Sequence, residues 1–230
     1  MNIAGSIRNL NKFERKLWGI SVVLIVISYM LSGTHSVLSL ITSVVGATAL
    51  IFLAKGDVLG EFICIVFSIL YALISLQFRY YGEMITYLGM SMPVAVASVI
   101  SWLKNPFSEH EVKVREATKR DFVILSAIAV AVTIIFFYIL RYFDTPNLFW
   151  STISVFTSFM AASLAVIRSR YYAVWYGVND IVLIILWVLA SIKDIKYMPM
   201  IMCFVVFLFN DAYGFYHWSR MQKRQEKISE

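Results

Sequence analysis

Seven residues toward the C-terminal end of this 230-residue chain have types and spacings that could do chemistry. Tyr172, Trp175 and Asn179 stand at i, i+3 and i+7, so at about 100° per residue they share one face of a helix. Asn210, Tyr213 and Gly214 share a second face with His217, and Trp218 follows directly. Each stripe interrupts an apolar stretch where a plain membrane span would carry Leu or Val. Aromatic rings beside amides suit a flat, hydrogen-bonding solute such as a nucleoside or a heteroaromatic vitamin. Bond-making chemistry has no such foundation. The chain holds no HExxH, GxSxG or Walker A motif and no clustered His, Cys and acid set. No cofactor and no metal site is expected, and without an ATP-binding part the chain is not itself a primary pump.

Asn179 and Asn210 fall at a similar depth, roughly 18–20 Å below one surface at ~1.5 Å per residue. Two amides at one depth on adjacent antiparallel helices could face each other across a cavity. Polar groups in hydrocarbon usually face the bundle interior. A hydrogen bond that only joins the two helices is the competing role. Asp180 and Asp211 follow the asparagines and could bind a cation, carry a proton or hold a ribose hydroxyl. Gly177 and Gly214 allow close backbone approach, which serves packing or ligand room equally.

The elements that must position these residues are membrane helices. The chain is 60% apolar and 15% charged, against about 45–50% and 25% for soluble domains. Apolar runs fall at about 17–33, 36–54, 58–77, 80–103, 121–143, 148–167, 172–191 and 196–219. Most are long enough to cross ~30 Å of hydrocarbon as a helix. Alternating polarity is absent, which argues against a β-barrel. The expectation is an all-α protein with eight transmembrane helices. The first run is kept as a span, because Ser28 to Thr34 offers a poor cleavage site for a signal peptide. Cys64 and Cys203 lie inside apolar runs and read as packing residues.

With eight spans, 16 of the Lys and Arg residues fall on the side of the N-terminus and 4 on the other, including Arg79. That bias puts both termini in the cytoplasm. The net charge of +6 then reports orientation rather than nucleic-acid binding. Trp18, Trp102 and Trp218 read as an interfacial belt at the cytoplasmic ends, with Trp150 and Trp187 toward the outer face. A binding role for Trp218 competes with the belt. Glu61 and Glu83 lie near span ends, where water can reach them, and Asp121 opens a span, where it favours the helix dipole. His217 is expected to snorkel or cap. Pro93 interrupts the fourth run as a hinge or a static bend. The mixed-sign stretch 104–120 reads as a solvated connector.

A weak internal repeat relates 36–103 to 149–219. Lys55-Gly56-Asp57 corresponds to Arg168-Ser169-Arg170, Ser98 to Gly214, and Trp102 to Trp218. Two three-span units joined by one linker span lie parallel in the membrane, the arrangement of SWEET-type transporters. The implied organisation is an N-terminal tail and additional helix over 1–34 and a first three-helix repeat over 35–103. A loop and linker helix over 104–147, a second repeat over 148–220 and a cytoplasmic tail over 221–230 complete it.

These residues converge on a family. The run from Tyr172 through Trp175 to Asn179 resembles the WxxWxxxN motif of the PnuC nicotinamide riboside transporters. Asn210, Tyr213, Gly214 and Trp218 resemble their NxxYGxxxW pattern, and Tyr80 to Met84 looks like their segment opening the third span of the first repeat. The resemblance covers about residues 36–220. It implies a SWEET-like fold in a bacterial inner membrane, usually as a homotrimer. It further implies facilitated diffusion of nicotinamide riboside, trapped by a cytoplasmic kinase. On that pattern Trp175, helped by Tyr172, stacks on the pyridine ring, and Asn179 and Asn210 hydrogen-bond the carboxamide or ribose. Tyr213 and Trp218 close the cytoplasmic side. Tyr172 departs from the family's Trp, and Tyr87 stands where many relatives carry Gln. A sister specificity for thiamine or riboflavin stays open. So do a binding subunit that needs an energising partner and, from a different class, a membrane enzyme, for which no nucleophile or metal set is visible.

Overall fold

The computed structural model describes residues 3–31, 36–77 and 80–229. Arg79 and the last two residues of the first expected span lie outside them. In hydrocarbon a backbone finds hydrogen-bond partners only in itself, so long apolar runs fold as helices. They are α1 Ile3–Arg8, α2 Lys12–Leu31, α3 Val37–Lys55, α4 Val58–Gln77, α5 Tyr81–Thr86, α6 Met92–Lys104, α7 Lys119–Tyr142, α8 Leu148–Val166, α9 Tyr171–Lys193 and α10 Met198–Ser229. A π-helical turn, Tyr87–Ser91, joins α5 to α6, which together form one span. Among the described residues seven helices are long and apolar enough to cross a membrane: α3, α4, α5 with α6, and α7 to α10. The first expected span, α2, is not one of them. Glu14, Arg15 and Lys16 crowd its first turns, and the uncharged stretch from Leu17 to Leu31 reaches only ~22 Å. α10 has 32 residues, ~48 Å, so the basic stretch after Trp218 continues the helix.

α3 packs on α4 and α10, α4 on α6, α6 on α8, α8 on α9, and α9 on α10. α7 lies outside against α8 and α5, and α2 against α3 and α10. α3 and α8 end in the same way. Gly56, at φ 70°, and Arg168, at φ 62°, are both left-handed. The Gly56 N–H reaches the Leu53 carbonyl at 2.9 Å and the Asp57 N–H reaches Phe52 at 3.0 Å. The Arg168 N–H reaches Ala165 and the Ser169 N–H reaches Leu164, both at 2.9 Å. Both ends are Schellman caps, with Gly56 and Arg168 at the same position of the motif.

The stretch 104–120 is not a solvated connector. It folds a hairpin from β1 Pro106–Ser108 and β2 Glu111–Val112 and docks on the bundle. The Val112 N–H donates to the Gly56 carbonyl at 2.9 Å and the Arg115 N–H to the Arg168 carbonyl at 3.0 Å. Gln225 on α10 donates to the Val112 carbonyl at 3.0 Å and accepts from the Val114 N–H at 2.8 Å. Glu111 pairs with Arg224. Helix ends leave carbonyls unsatisfied, and the hairpin backbone supplies their donors. Asp121 closes a capping box with Thr118 at the start of α7.

The belt reading fails for three tryptophans. Trp102, Trp187 and Trp218 are fully buried. Trp102 Nε1 donates to the Ala165 carbonyl and Trp218 Nε1 to the Leu53 carbonyl, each at 2.8 Å. Their rings fill the core because those carbonyls can satisfy the indole N–H there. Glu61 and Glu83 are buried as well, facing Ser98 and Ser151 on the neighbouring helices α6 and α8.

Candidate functional site

Pro93 has no N–H, and its ring crowds the carbonyl four residues earlier. The span responds with the π turn before α6, in which the Met92 N–H reaches the Tyr87 carbonyl. Wide turns of this kind recur at functional positions. This one sets Tyr87 and Ser91 on the wall of a cavity inside the bundle. α3 contributes Gly46, Ala49, Leu50 and Leu53, and α4 contributes Cys64, Phe67 and Ser68. α6 adds Ala95, α8 adds Ser158 and Ala162, α9 adds Tyr176, Asn179 and Asp180, and α10 adds Phe204, Phe207 and Asp211. Gly46 is required here, since a Cβ would stand 2.3 Å from Phe207 Cζ and 2.8 Å from Phe67 Cε2.

The cavity is about 80 Å³. Ligand sites usually measure roughly 300–1,000 Å³, so this is a closed form with room for a few waters. Toward the hairpin, Tyr172 packs on Trp218 at 4.9 Å between ring centroids and Trp102 on Trp218 at 5.4 Å. At the far end Tyr71 and Tyr87 lie 4.2 Å apart, and beyond them Tyr80 packs on Trp187 at 5.5 Å and on Tyr197 at 5.9 Å.

The structure separates the seven sequence candidates. Asn179 is in the wall, where its Oδ1 accepts from Thr157 Oγ1 at 2.8 Å. Its Nδ2 makes no hydrogen bond among the described residues. Tyr172 lies one layer toward the hairpin, with its hydroxyl 3.3 Å from where a Cβ on Gly214 would stand. Trp218 shares that layer. Trp175 turns aside to Phe156 on α8, at 5.9 Å. Asn210 does not face Asn179. Its Nδ2 donates to Ser21 Oγ on α2 at 3.1 Å and to the Val206 carbonyl at 2.8 Å. Tyr213 also turns to α2, and its hydroxyl donates to Glu14 Oε1 at 2.8 Å. Glu14 is fully buried, 3.6 Å from Lys55 Nζ and 3.9 Å from His217 Nε2. His217 thus neighbours a carboxylate instead of only snorkelling.

The cavity face of α9 runs Tyr176, Asn179, Asp180, and that of α10 runs Phe204, Phe207, Asp211. Tyr176, Phe204 and Phe207 escaped the sequence reading, although Tyr176 and Phe207 stand four residues before the aspartates and Phe204 seven, all on the aspartates' own faces. Asp180 and Asp211 both line the cavity, and both are buried. Among the described residues no group of three or more His, Cys, Asp or Glu could hold a metal ion.

The profile of a family described as nicotinamide mononucleotide transporter matches residues 36–220. The chain belongs to this family. Members of the nicotinamide mononucleotide transporter family are membrane transporters and not enzymes, and the matched region holds the whole cavity but not α1 or α2. Two relatives carry the name nicotinamide riboside transporter PnuC. The one from Neisseria mucosa is 28% identical over 194 residues, 81% of this chain and 73% of the relative. The one from Haemophilus influenzae is 23% identical over 191 residues, 81% of each chain. A crystal structure of the vitamin B3 transporter PnuC superposes with a TM-score of 0.82 at 24% identity, over 94% of both chains. At that identity it establishes the fold.

Proposed function

We propose that this chain carries nicotinamide riboside across a bacterial inner membrane by facilitated diffusion. The observation that carries the reading is the Asn179 amide, its Nδ2 unbonded among the described residues, beside aromatic rings in a cavity inside the bundle, in a chain of this family. Amide and rings match a flat heteroaromatic carboxamide on a ribose. The names of the two relatives support the same substrate. The rings stack on the pyridine while Asn179 bonds the carboxamide or a ribose hydroxyl. Tyr172, Trp175, Asn210, Tyr213, Gly214 and Trp218 lie within two helical turns of Asn179 or Asp211 and join the site as the cavity opens. A cytoplasmic kinase that phosphorylates the riboside traps it. The assembly is a homotrimer, with both termini cytoplasmic as the Lys and Arg bias supports.

In the same reading α2 is the first of eight spans. It belongs to the unit 1–34, outside a SWEET-like core of 35–103, linker 104–147 and 148–220, with 221–230 as tail. The packing supports two parallel units. α3, α4 and α6 correspond to α8, α9 and α10, and the contacts α3–α10 and α6–α8 exchange under that correspondence. Matching Schellman caps and matching tryptophan bonds support it too.

The test is uptake of labelled nicotinamide riboside into liposomes holding the purified chain alone. The expected result is saturable uptake that stops at equal concentrations and rises further only with a riboside kinase and ATP inside. Accumulation driven by an imposed ion gradient would refute facilitated diffusion, and no uptake would favour a subunit that needs a partner. Thiamine or riboflavin is the second reading, favoured by Tyr87 on the wall.

A further inference from the structure

The cavity wall carries two carboxyl groups, Asp180 and Asp211, and no lysine, arginine or histidine. They are only 3% and 4% exposed, and neither forms an ion pair among the described residues. Asp180 Oδ2 is buried without a hydrogen-bond partner. The nearby buried carboxylate that does have cations, Glu14, keeps Lys55 and His217 for itself. A carboxyl inside a membrane holds negative charge only at high cost unless a cation lies beside it, and ionisable groups placed there mark what passes or binds.

A second feature points the same way. Phe67, Tyr87, Tyr176, Phe204 and Phe207 present five rings to the same cavity. Faces of aromatic rings attract cations, and cages of them recognise quaternary nitrogen. A solute that satisfies both features is aromatic and permanently positive. The pyridinium of a nicotinamide riboside has this character, since its ring nitrogen is bonded to the sugar and has no proton to lose.

We infer that Asp180 and Asp211 are the countercharge for a quaternary ring nitrogen, and that the cavity selects cationic rings against neutral and anionic counterparts. The inference rests on the proposed substrate and deepens it, because charge as well as hydrogen bonding becomes a selector. It also accounts for trapping: a phosphate on the ribose brings negative charge toward a cavity with two acids and no base. The phosphorylated product is therefore a poor ligand for the return step.

The experiment compares two ligands by calorimetry on purified protein: nicotinamide riboside, and benzamide riboside, in which carbon replaces the charged nitrogen. The wild-type chain is expected to bind the cation at least about tenfold more tightly. Asp180→Asn and Asp211→Asn are expected to lose most of that preference, and size exclusion with thermal unfolding reports whether they fold. Equal binding of the two ligands by wild type overturns the inference and leaves the substrate reading standing. Asn variants that keep the full preference overturn it as well. If thiamine, whose thiazolium is also quaternary, binds instead with the same dependence on the aspartates, the substrate reading falls and the countercharge stands. Binding of riboflavin alone overturns both. Where an Asn variant does not fold, the wild-type ratio decides.

Discussion

Trp218→Phe tests how the hairpin end of the cavity is held. The indole is fully buried and donates to the Leu53 carbonyl at 2.8 Å. That carbonyl also accepts the Gly56 N–H of the α3 cap, so it keeps one partner when the indole goes. The net loss is one hydrogen bond, about 1 kcal/mol, plus the void left as indole shrinks to phenyl, about 1–2 kcal/mol. The expected total of about 2–3 kcal/mol corresponds to roughly 4–12 °C in the apparent melting temperature of a chain this size. Trp102→Phe removes an equivalent bond to Ala165, whose carbonyl likewise retains the Arg168 N–H. It should fall by a similar amount. The two rings touch, so the double variant should lose less or more than the sum. The assay is thermal unfolding of detergent-purified variants followed by size exclusion. A Trp218→Phe protein that melts with wild type, while Trp102→Phe falls by several degrees, would refute the claim that the two bonds are equivalent.

Two further outcomes follow from packing. A Cβ at Gly60 would stand 2.5 Å from the Leu53 backbone nitrogen, so Gly60→Ala must part α3 from α4 and should lower stability by about 1–3 kcal/mol. An unchanged or higher melting temperature would contradict the close approach. Glu14→Ala strips Tyr213, Lys55 and His217 of their shared carboxylate. It should cost about 1–3 kcal/mol and raise hydrogen exchange along α2, and unaltered exchange there would show that Glu14 does not anchor that helix.

The spans were legible because about 20 apolar residues have one economical conformation in lipid. Asp121 was legible as an acid at a helix start, because the dipole effect is local, while the capping box it closes with Thr118 went unread. The direction of each stripe was not. A 100° rule relates residues on one helix and says nothing of what surrounds it. Trp175 sits at the edge of its stripe and Asn210 at the middle of its own, yet α8 and α2 captured both from the cavity. Trp102 and Trp218 looked interfacial because their end-of-span position fits both a belt and a core, and only the carbonyl opposite decides. The hairpin was invisible for a related reason: its docking uses backbone groups of Gly56 and Arg168, which carry no side-chain signature.

That docking bears on how the molecule moves. Val112 is bonded to the end of α3 and Arg115 to the end of α8, and the chain between them spans at most ~11 Å when extended. While both bonds hold, these two ends cannot draw apart beyond that short strap. Any motion of the α3 end against the α8 end then pivots here. Displacement grows with distance from a fulcrum, so the lever arms are longest at the opposite face, and the wider swing belongs there.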